Sequence, residues 1–125
     1  MSVLYVDDEP PLRKAVHAWL GQQGVDVHSA RSIAEATAVL GRQHFDGAFI
    51  DIWLIDGSGF DVYDWIARHD PRLAKRVVFI TGDILPSPDT QRRLDTTGRP
   101  VLSKPFDLAE LDQYVAAWEA SAGQS

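Results

Sequence analysis

Short, unbroken apolar runs alternating with stretches of helical periodicity limit this chain to few folds. Val3-Leu4-Tyr5-Val6 and Val77-Val78-Phe79-Ile80 are runs of strand length, and Val25 to Val27, Ala48-Phe49-Ile50 and Val101-Leu102 are shorter ones. A strand that is apolar at successive positions is buried on both faces, which is the situation of a parallel sheet covered by helices. Between the runs, apolar residues recur at helical spacing: Leu12, Val16, Trp19 and Leu20, then Phe60, Val62, Tyr63, Trp65 and Ile66, then Leu108, Leu111, Val115 and Trp118. Ser32 with Glu35 and Asp107 with Glu110 have capping-box spacing, and Pro10-Pro11 and Ser87-Pro88 suit a first helical turn. Gly21 or Gly24, Gly41 and Gly98 supply stops, the last closing a helix predicted to run through Leu94. Five strands alternating with five helices predict an α/β fold with helices on both faces, because each parallel crossover needs a helix-length connection.

With 125 residues and no internal linker or repeat, the reading is one domain over residues 1–120, with 121–125 as a loose tail. A formal net charge of −6 argues against nucleic acid as a direct partner, since a phosphate backbone calls for a basic face. The absence of cysteine removes disulfides, thiolate metal sites and thiol catalysis. Apolar stretches fall well short of the ~20 residues that span a bilayer, and no cleavable signal precedes Val3, so the expectation is a cytoplasmic protein without a membrane partner. No output domain follows Trp118, so output is expected through protein contacts.

The polar residues that follow each apolar run carry the chemistry. Asp7, Asp8 and Glu9 follow the first, Asp51 the third, Thr81 the fourth and Lys104 the fifth. In open parallel sheets, ligands bind at the carboxyl ends of strands, so these side chains are expected on one rim. Carboxylates crowded there repel one another, and a divalent cation relieves that repulsion. Oxygen ligands favour Mg²⁺ over a softer metal. A lysine and a hydroxyl beside such a site suit phosphoryl oxygens.

Val6-Asp7-Asp8-Glu9-Pro10, Asp51 followed by Asp56-Gly57-Ser58-Gly59, Ile80-Thr81-Gly82 and Lys104-Pro105-Phe106 together resemble the receiver domains of two-component signalling, in the family's order and across almost the whole chain. The resemblance implies a doubly wound, flavodoxin-like (βα)5 fold with a five-stranded parallel sheet in the order 2-1-3-4-5. It implies that Asp51 accepts a phosphoryl group from a histidine kinase or histidine phosphotransfer protein, in a phosphorelay step whose conformational outcome partner proteins read. Asp8, Asp51 and the main-chain carbonyl of Trp53 would bind Mg²⁺, with Asp7 acting through metal-bound water. Lys104 would pair with Asp51 and then with a phosphoryl oxygen, Thr81 would hydrogen-bond the phosphoryl group, and Lys104–Pro105 would be cis. Such a domain is a phosphoacceptor catalysing only its own phosphorylation and dephosphorylation. A homodimer is left open.

The chain also departs from that pattern. Val101 stands three residues before the lysine, where relatives often have Tyr or Phe, so a coupled threonine–aromatic switch is not expected. The Ile80-Thr81-Gly82-Asp83 and Thr97-Gly98-Arg99-Pro100-Val101-Leu102 segments resemble receivers of hybrid histidine kinases. Trp53 is bulky for its place, and its ring is expected to shield an acyl phosphate from water. Pro11, Leu12, Ile55 and Phe106 are expected to form a docking patch for the donor. Two other classes compete with this one. A pseudo-receiver that binds partners without phosphorylation would not need the full Asp7, Asp8, Asp51, Thr81 and Lys104 set. An aspartate-nucleophile phosphohydrolase typically carries a second Asp two residues past its nucleophile and encloses substrate with a cap insertion; Asp7 lacks the first, and the chain lacks the second.

Overall fold

The computed structural model describes residues 1–83 and 85–122. Its elements are β1 (Ser2–Val6), α1 (Pro10–Gly21), β2 (Asp26–Ala30), α2 (Ile33–Leu40), β3 (Gly47–Asp51), β4 (Trp53–Leu54), β5 (Gly57–Ser58), α3 (Gly59–His69), α4 (Pro71–Ala74), β6 (Val77–Thr81), α5 (Pro88–Thr97), β7 (Val101–Ser103) and α6 (Ala109–Ala122). Five strands form one parallel sheet in the order β2-β1-β3-β6-β7, the predicted 2-1-3-4-5 arrangement, in a flavodoxin-like fold. The chain steps outward from β1 to β2 and then returns to the other side of β1 to lay down β3. That reversal opens a crevice at the carboxyl ends of β1 and β3.

Strand alternation sorts the core into two layers. Leu4, Val6, Ala48, Ile50, Val77 and Phe79 face α2, α3 and Leu94 of α5. Val3, Tyr5, Phe49, Val78 and Ile80 face α1 and α6 on the opposite side. Because side chains point to opposite faces at successive positions, each apolar run feeds both layers, and this explains why the runs are continuous. Trp118 of α6 packs on Phe49 with ring centroids 5.1 Å apart. It comes so close to β3 that a Cβ on Gly47 would stand 2.2 Å from its ring, so the sheet accepts this helix only over a glycine. A buried aromatic of this size is worth about 3–5 kcal/mol relative to alanine.

Several boundaries differ from the sequence reading. The second strand is shifted to Asp26–Ala30, where exposed Asp26 and Ser29 interrupt the buried Val27 and Ala30. The fourth long helix runs past Leu94 to Thr97 before Gly98 turns left-handed at φ 66°. The last helix continues through Ala122, beyond the expected domain end at 120; residues 123–125 of the expected tail lie outside the described residues. The β4–β5 hairpin and the one-turn α4 are additions with no apolar period to announce them. No helix among the described residues is long and apolar enough to cross a membrane.

The hairpin has a structural task. At its tip, Asp56 accepts from the Ile33 N–H at 2.8 Å (Oδ1) and the Ala34 N–H at 3.1 Å (Oδ2), while Ser32 accepts from the Glu35 N–H at 3.1 Å. Two side chains thus satisfy three N–H groups at the start of α2. The Ile33 N–H, followed by that of Ala34, holds the Asp56 carboxyl below the usual carboxylate range. A depressed carboxyl stabilises the fold above its unfolded-state pKa and loses that contribution as the pH falls through the lower folded-state value. Asp56→Ala is expected to lower the urea midpoint at neutral pH, at the low end of the ~0.5–2 kcal/mol capping range because the site is solvent-exposed. The gap between variant and parent should close as titrations are repeated below about pH 4.

Candidate functional site

Parallel pairing brings the polar strand ends together. Asp7 follows β1, Asp51 ends β3, Thr81 ends β6 and Lys104 follows β7, with Asp51 in register with Ile80 and Thr81 with Ser103. Lys104 is tied into this rim by its main-chain N–H, which donates to the Thr81 carbonyl at 2.8 Å, and the Lys104–Pro105 bond is cis. Its Nζ donates to Asp51 Oδ2 at 2.7 Å and to Glu9 Oε2 at 2.9 Å, and lies 3.1 Å from Asp7 Oδ2. Asp7 is fully buried and Asp51 nearly so, whereas Asp8 is exposed.

Each buried carboxylate has further donors. Asp51 Oδ1 accepts from the Trp53 main-chain N–H at 3.0 Å. Asp7 Oδ2 accepts from the Tyr5 hydroxyl at 2.9 Å and Oδ1 from the Glu9 N–H at 3.0 Å, and Arg13 Nη1 donates to the Asp7 carbonyl at 2.8 Å. Among the described residues, no buried side-chain polar atom lacks a partner.

Four carboxylates (Asp7, Asp8, Glu9 and Asp51) surround one ammonium, so the site is net anionic, and its ionisation follows from that. Burial, ahead of any other influence, pushes the Asp51 carboxyl above the usual carboxylate range; the Asp7 charge adds to this, while Lys104 and the Trp53 N–H oppose it. For Lys104, burial favours the neutral amine, but hydrogen bonds to Asp51 and Glu9 and the attraction of Asp51 and Asp7 outweigh it and keep the ammonium well above the usual lysine range. Burial, reinforced by the Asp7 charge, drives the Tyr5 hydroxyl strongly upward, so it serves as a donor. One oxygen each from Asp7, Asp8 and Asp51 lie within 4.8 Å of one another, and this all-carboxylate set fits a small hard dication.

The structure brings Asp7, Asp8, Asp51 and Lys104 together as the sequence predicted. Trp53 meets Asp51 through its main-chain N–H, while its indole reaches Asp83. Thr81 is buried, and its hydroxyl accepts from the Asp83 N–H at 3.0 Å. Glu9, beside the site as its sequence position implies, also binds Lys104, and Tyr5, a plain strand residue in the sequence pattern, bonds to Asp7. A Tyr two positions before a buried Asp on the same strand lies on the same face, and that spacing was the available signal.

Gly59 fixes the acceptor strand. A Cβ there would stand 2.1 Å from the Asp51 carbonyl oxygen and 2.8 Å from Ile50 Cγ2, and the Gly59 N–H donates to the Ile52 carbonyl at 2.6 Å. Gly59→Ala is therefore expected to cost about 1–3 kcal/mol in chemical denaturation, by overpacking against main chain that has nowhere to go.

Comparison with known proteins agrees with this geometry. The sequence profile of the response regulator receiver domain matches residues 3–116. Response regulator protein PilR of Pseudomonas aeruginosa is 35% identical over 116 residues, covering 92% of this chain and 25% of PilR. Transcriptional regulatory protein GltR of the same species is 28% identical over 113 residues, covering 88% of this chain and 45% of GltR. The chain thus spans a quarter of one relative and under half of the other. The crystal structure of a CheY-like receiver domain protein from Methanospirillum hungatei superposes with a TM-score of 0.86 over 99% of this chain and 98% of that one; at 20% identity this likeness shows the fold.

Proposed function

The chain belongs to the response regulator receiver domain family, and we propose that it accepts a phosphoryl group on Asp51 in a Mg²⁺-dependent step, from a histidine kinase or histidine phosphotransfer protein. The observation that carries this reading is the contact of Lys104 Nζ with Asp51 Oδ2 at 2.7 Å inside an otherwise anionic rim. An Asp51 carboxylate oxygen bonds to phosphorus as the donor histidine's phosphorus–nitrogen bond breaks and its electron pair returns to the imidazole. Lys104 holds Oδ2 in place and, once the acyl phosphate has formed, can turn its ammonium to a phosphoryl oxygen. Thr81, at the end of the neighbouring strand, supplies a hydroxyl for another phosphoryl oxygen. Asp8, Asp51 and the Trp53 carbonyl would hold the cation, with Asp7 acting through a water on it. When bound, Mg²⁺ would neutralise charge on the phosphoryl oxygens. In this reading the domain is a signalling element that works on itself, not an enzyme with an external substrate.

The donor has a place to sit. A groove of about 850 Å³ beside Lys104 is lined by Pro10, Pro11, Leu12, Ala15, Pro105 and Phe106. Ile55, 79% exposed, borders a separate depression on the far side of Pro10. The expected docking patch is therefore two apolar strips flanking Asp8 and Pro10. Phe106→Asp is expected to slow phosphotransfer from the cognate donor while leaving uptake from acetyl phosphate near parental; equal slowing of both would place Phe106 in the site's own architecture.

A cytoplasmic location fits this role. Within these residues the net charge of −6 favours protein over nucleic-acid partners. The segments around Thr81 and Val101 still support placement beside hybrid-kinase receivers, and a homodimer is compatible with the proposal. Incubation with acetyl phosphate and Mg²⁺ followed by intact mass should add one phosphoryl group; Asp51→Asn or chelation of the metal should abolish it. Failure of the parent protein to gain mass would favour the pseudo-receiver alternative, and steady turnover of a phosphate ester would favour the phosphohydrolase.

A further inference from the structure

The rim around Asp51 is anionic, and the opposite end of the sheet carries the other sign. A groove of about 620 Å³ lies between the segment that enters β6 and one side of α6. Arg72, Lys75, Arg76 and Arg99 line it: four of the chain's 12 Lys and Arg gather where none of its 18 Asp and Glu does. Among the described residues, none of the four forms an ion pair. Asp46 and Asp70 share an adjoining depression with Arg72 and Arg76, but their carboxylates are engaged elsewhere. Asp46 Oδ2 accepts from the Ser2 N–H at 2.8 Å, and Asp70 Oδ1 accepts from the Leu73 N–H at 3.3 Å. Cations collected without carboxylates repel one another, so the cluster gains when an anionic group meets it.

Two of the cations are already aimed. Arg99 Nε donates to the Val77 carbonyl at 2.9 Å, and Arg76 Nη1 donates to the Asp46 carbonyl at 3.3 Å. Each half-buried guanidinium is thus pinned through one N–H, and its other donors are left for a ligand. Burial lowers the Arg99 guanidinium from its ordinary range, and the opposing influence is Tyr63, not a carboxylate. The far wall is Tyr114, Ala117, Trp118 and Ser121, which recur at helical spacing along α6. Seven residues of rise carry the groove along the helix for about 10 Å, the reach of roughly three residues of extended chain.

We propose that this groove binds an acidic segment of a partner protein, two or three carboxylates in extended conformation meeting Arg72, Lys75, Arg76 and Arg99. The inference does not rest on the phosphoacceptor reading, because the whole length of β6 separates the groove from the rim. A guanidinium fork matches a carboxylate in paired hydrogen bonds, and three of the four cations are arginine. A nucleic acid fits the surface poorly: its phosphates would continue past the groove onto a chain whose net charge is −6. A short acidic segment stops where the cations stop.

Fluorescein-labelled hexaglutamate, followed by anisotropy at low ionic strength, tests this, with hexaglutamine and a single-stranded hexanucleotide as comparison probes. Hexaglutamate should bind saturably in spite of the chain's own negative charge, and added salt should weaken it. Hexaglutamine should not bind. Arg72→Glu combined with Lys75→Glu, both at exposed positions, should weaken hexaglutamate roughly tenfold, the scale of losing two exposed ion pairs. The urea midpoint of that variant should equal or exceed the parent's, since repulsion among the cations is relieved. In ¹⁵N–¹H spectra of the parent, hexaglutamate should move the Ala117 and Ser121 amide cross-peaks and leave that of Asp51 in place. Absence of saturable binding, parental affinity in the charge-reversed variant, tighter binding of the hexanucleotide, or cross-peak shifts confined to other surfaces would each overturn the proposal.

Discussion

The contact between Lys104 and Asp51 is the interaction on which the rest of the rim depends. Without an ammonium at that point, buried Asp7 and nearly buried Asp51 would repel each other in a region of low dielectric, with Glu9 and Asp8 adding to the strain. With it, the cluster is tolerated but not neutralised. The excess negative charge suits the cluster to a small dication, and on the phosphoacceptor proposal the single cation would meet the phosphoryl oxygens. Both properties come from one imbalance, maintained by strands that cannot shift without breaking their ladders.

The architecture supplies that rigidity cheaply. Every strand of the sheet's centre is covered on both faces, and its alternate residues are divided between two core layers. A side chain at a strand end therefore projects from a fixed platform, while the loops that follow can vary in sequence. Asp7, Asp51 and Thr81 are held by the buried central strands β1, β3 and β6, whereas Lys104 follows a short strand at the sheet's edge and is tied in by its own N–H to Thr81. The site is thus built from three firm positions and one that is anchored locally.

Much of this was legible in the sequence, for physical reasons. Continuous apolar runs announce buried strands, and the polar residue after each run falls at a strand end whatever the exact boundaries are. Asp7, Asp51, Thr81 and Lys104 were therefore placeable without coordinates. Edge strand β2 was harder to bound, since exposed Asp26 and Ser29 break up its apolar residues. The hairpin at Trp53–Ser58 was invisible because two-residue strands carry no period. Contacts that join distant loops through side chains, such as Lys104 with Glu9 or Asp56 with the α2 N–H groups, leave no mark on local pattern. They are legible only once topology has set the loops side by side.

The close seating of Gly59 against the Asp51 carbonyl has a mechanical corollary. One jaw of the crevice is bolted: acceptor strand, hairpin and the head of α3 are in main-chain contact, with no side chain between them to compress. A change of charge at the aspartyl oxygen can then do little work on that jaw. On the phosphoacceptor proposal, displacement would fall to the opposite one, where Thr81 ends β6 and Lys104 follows β7.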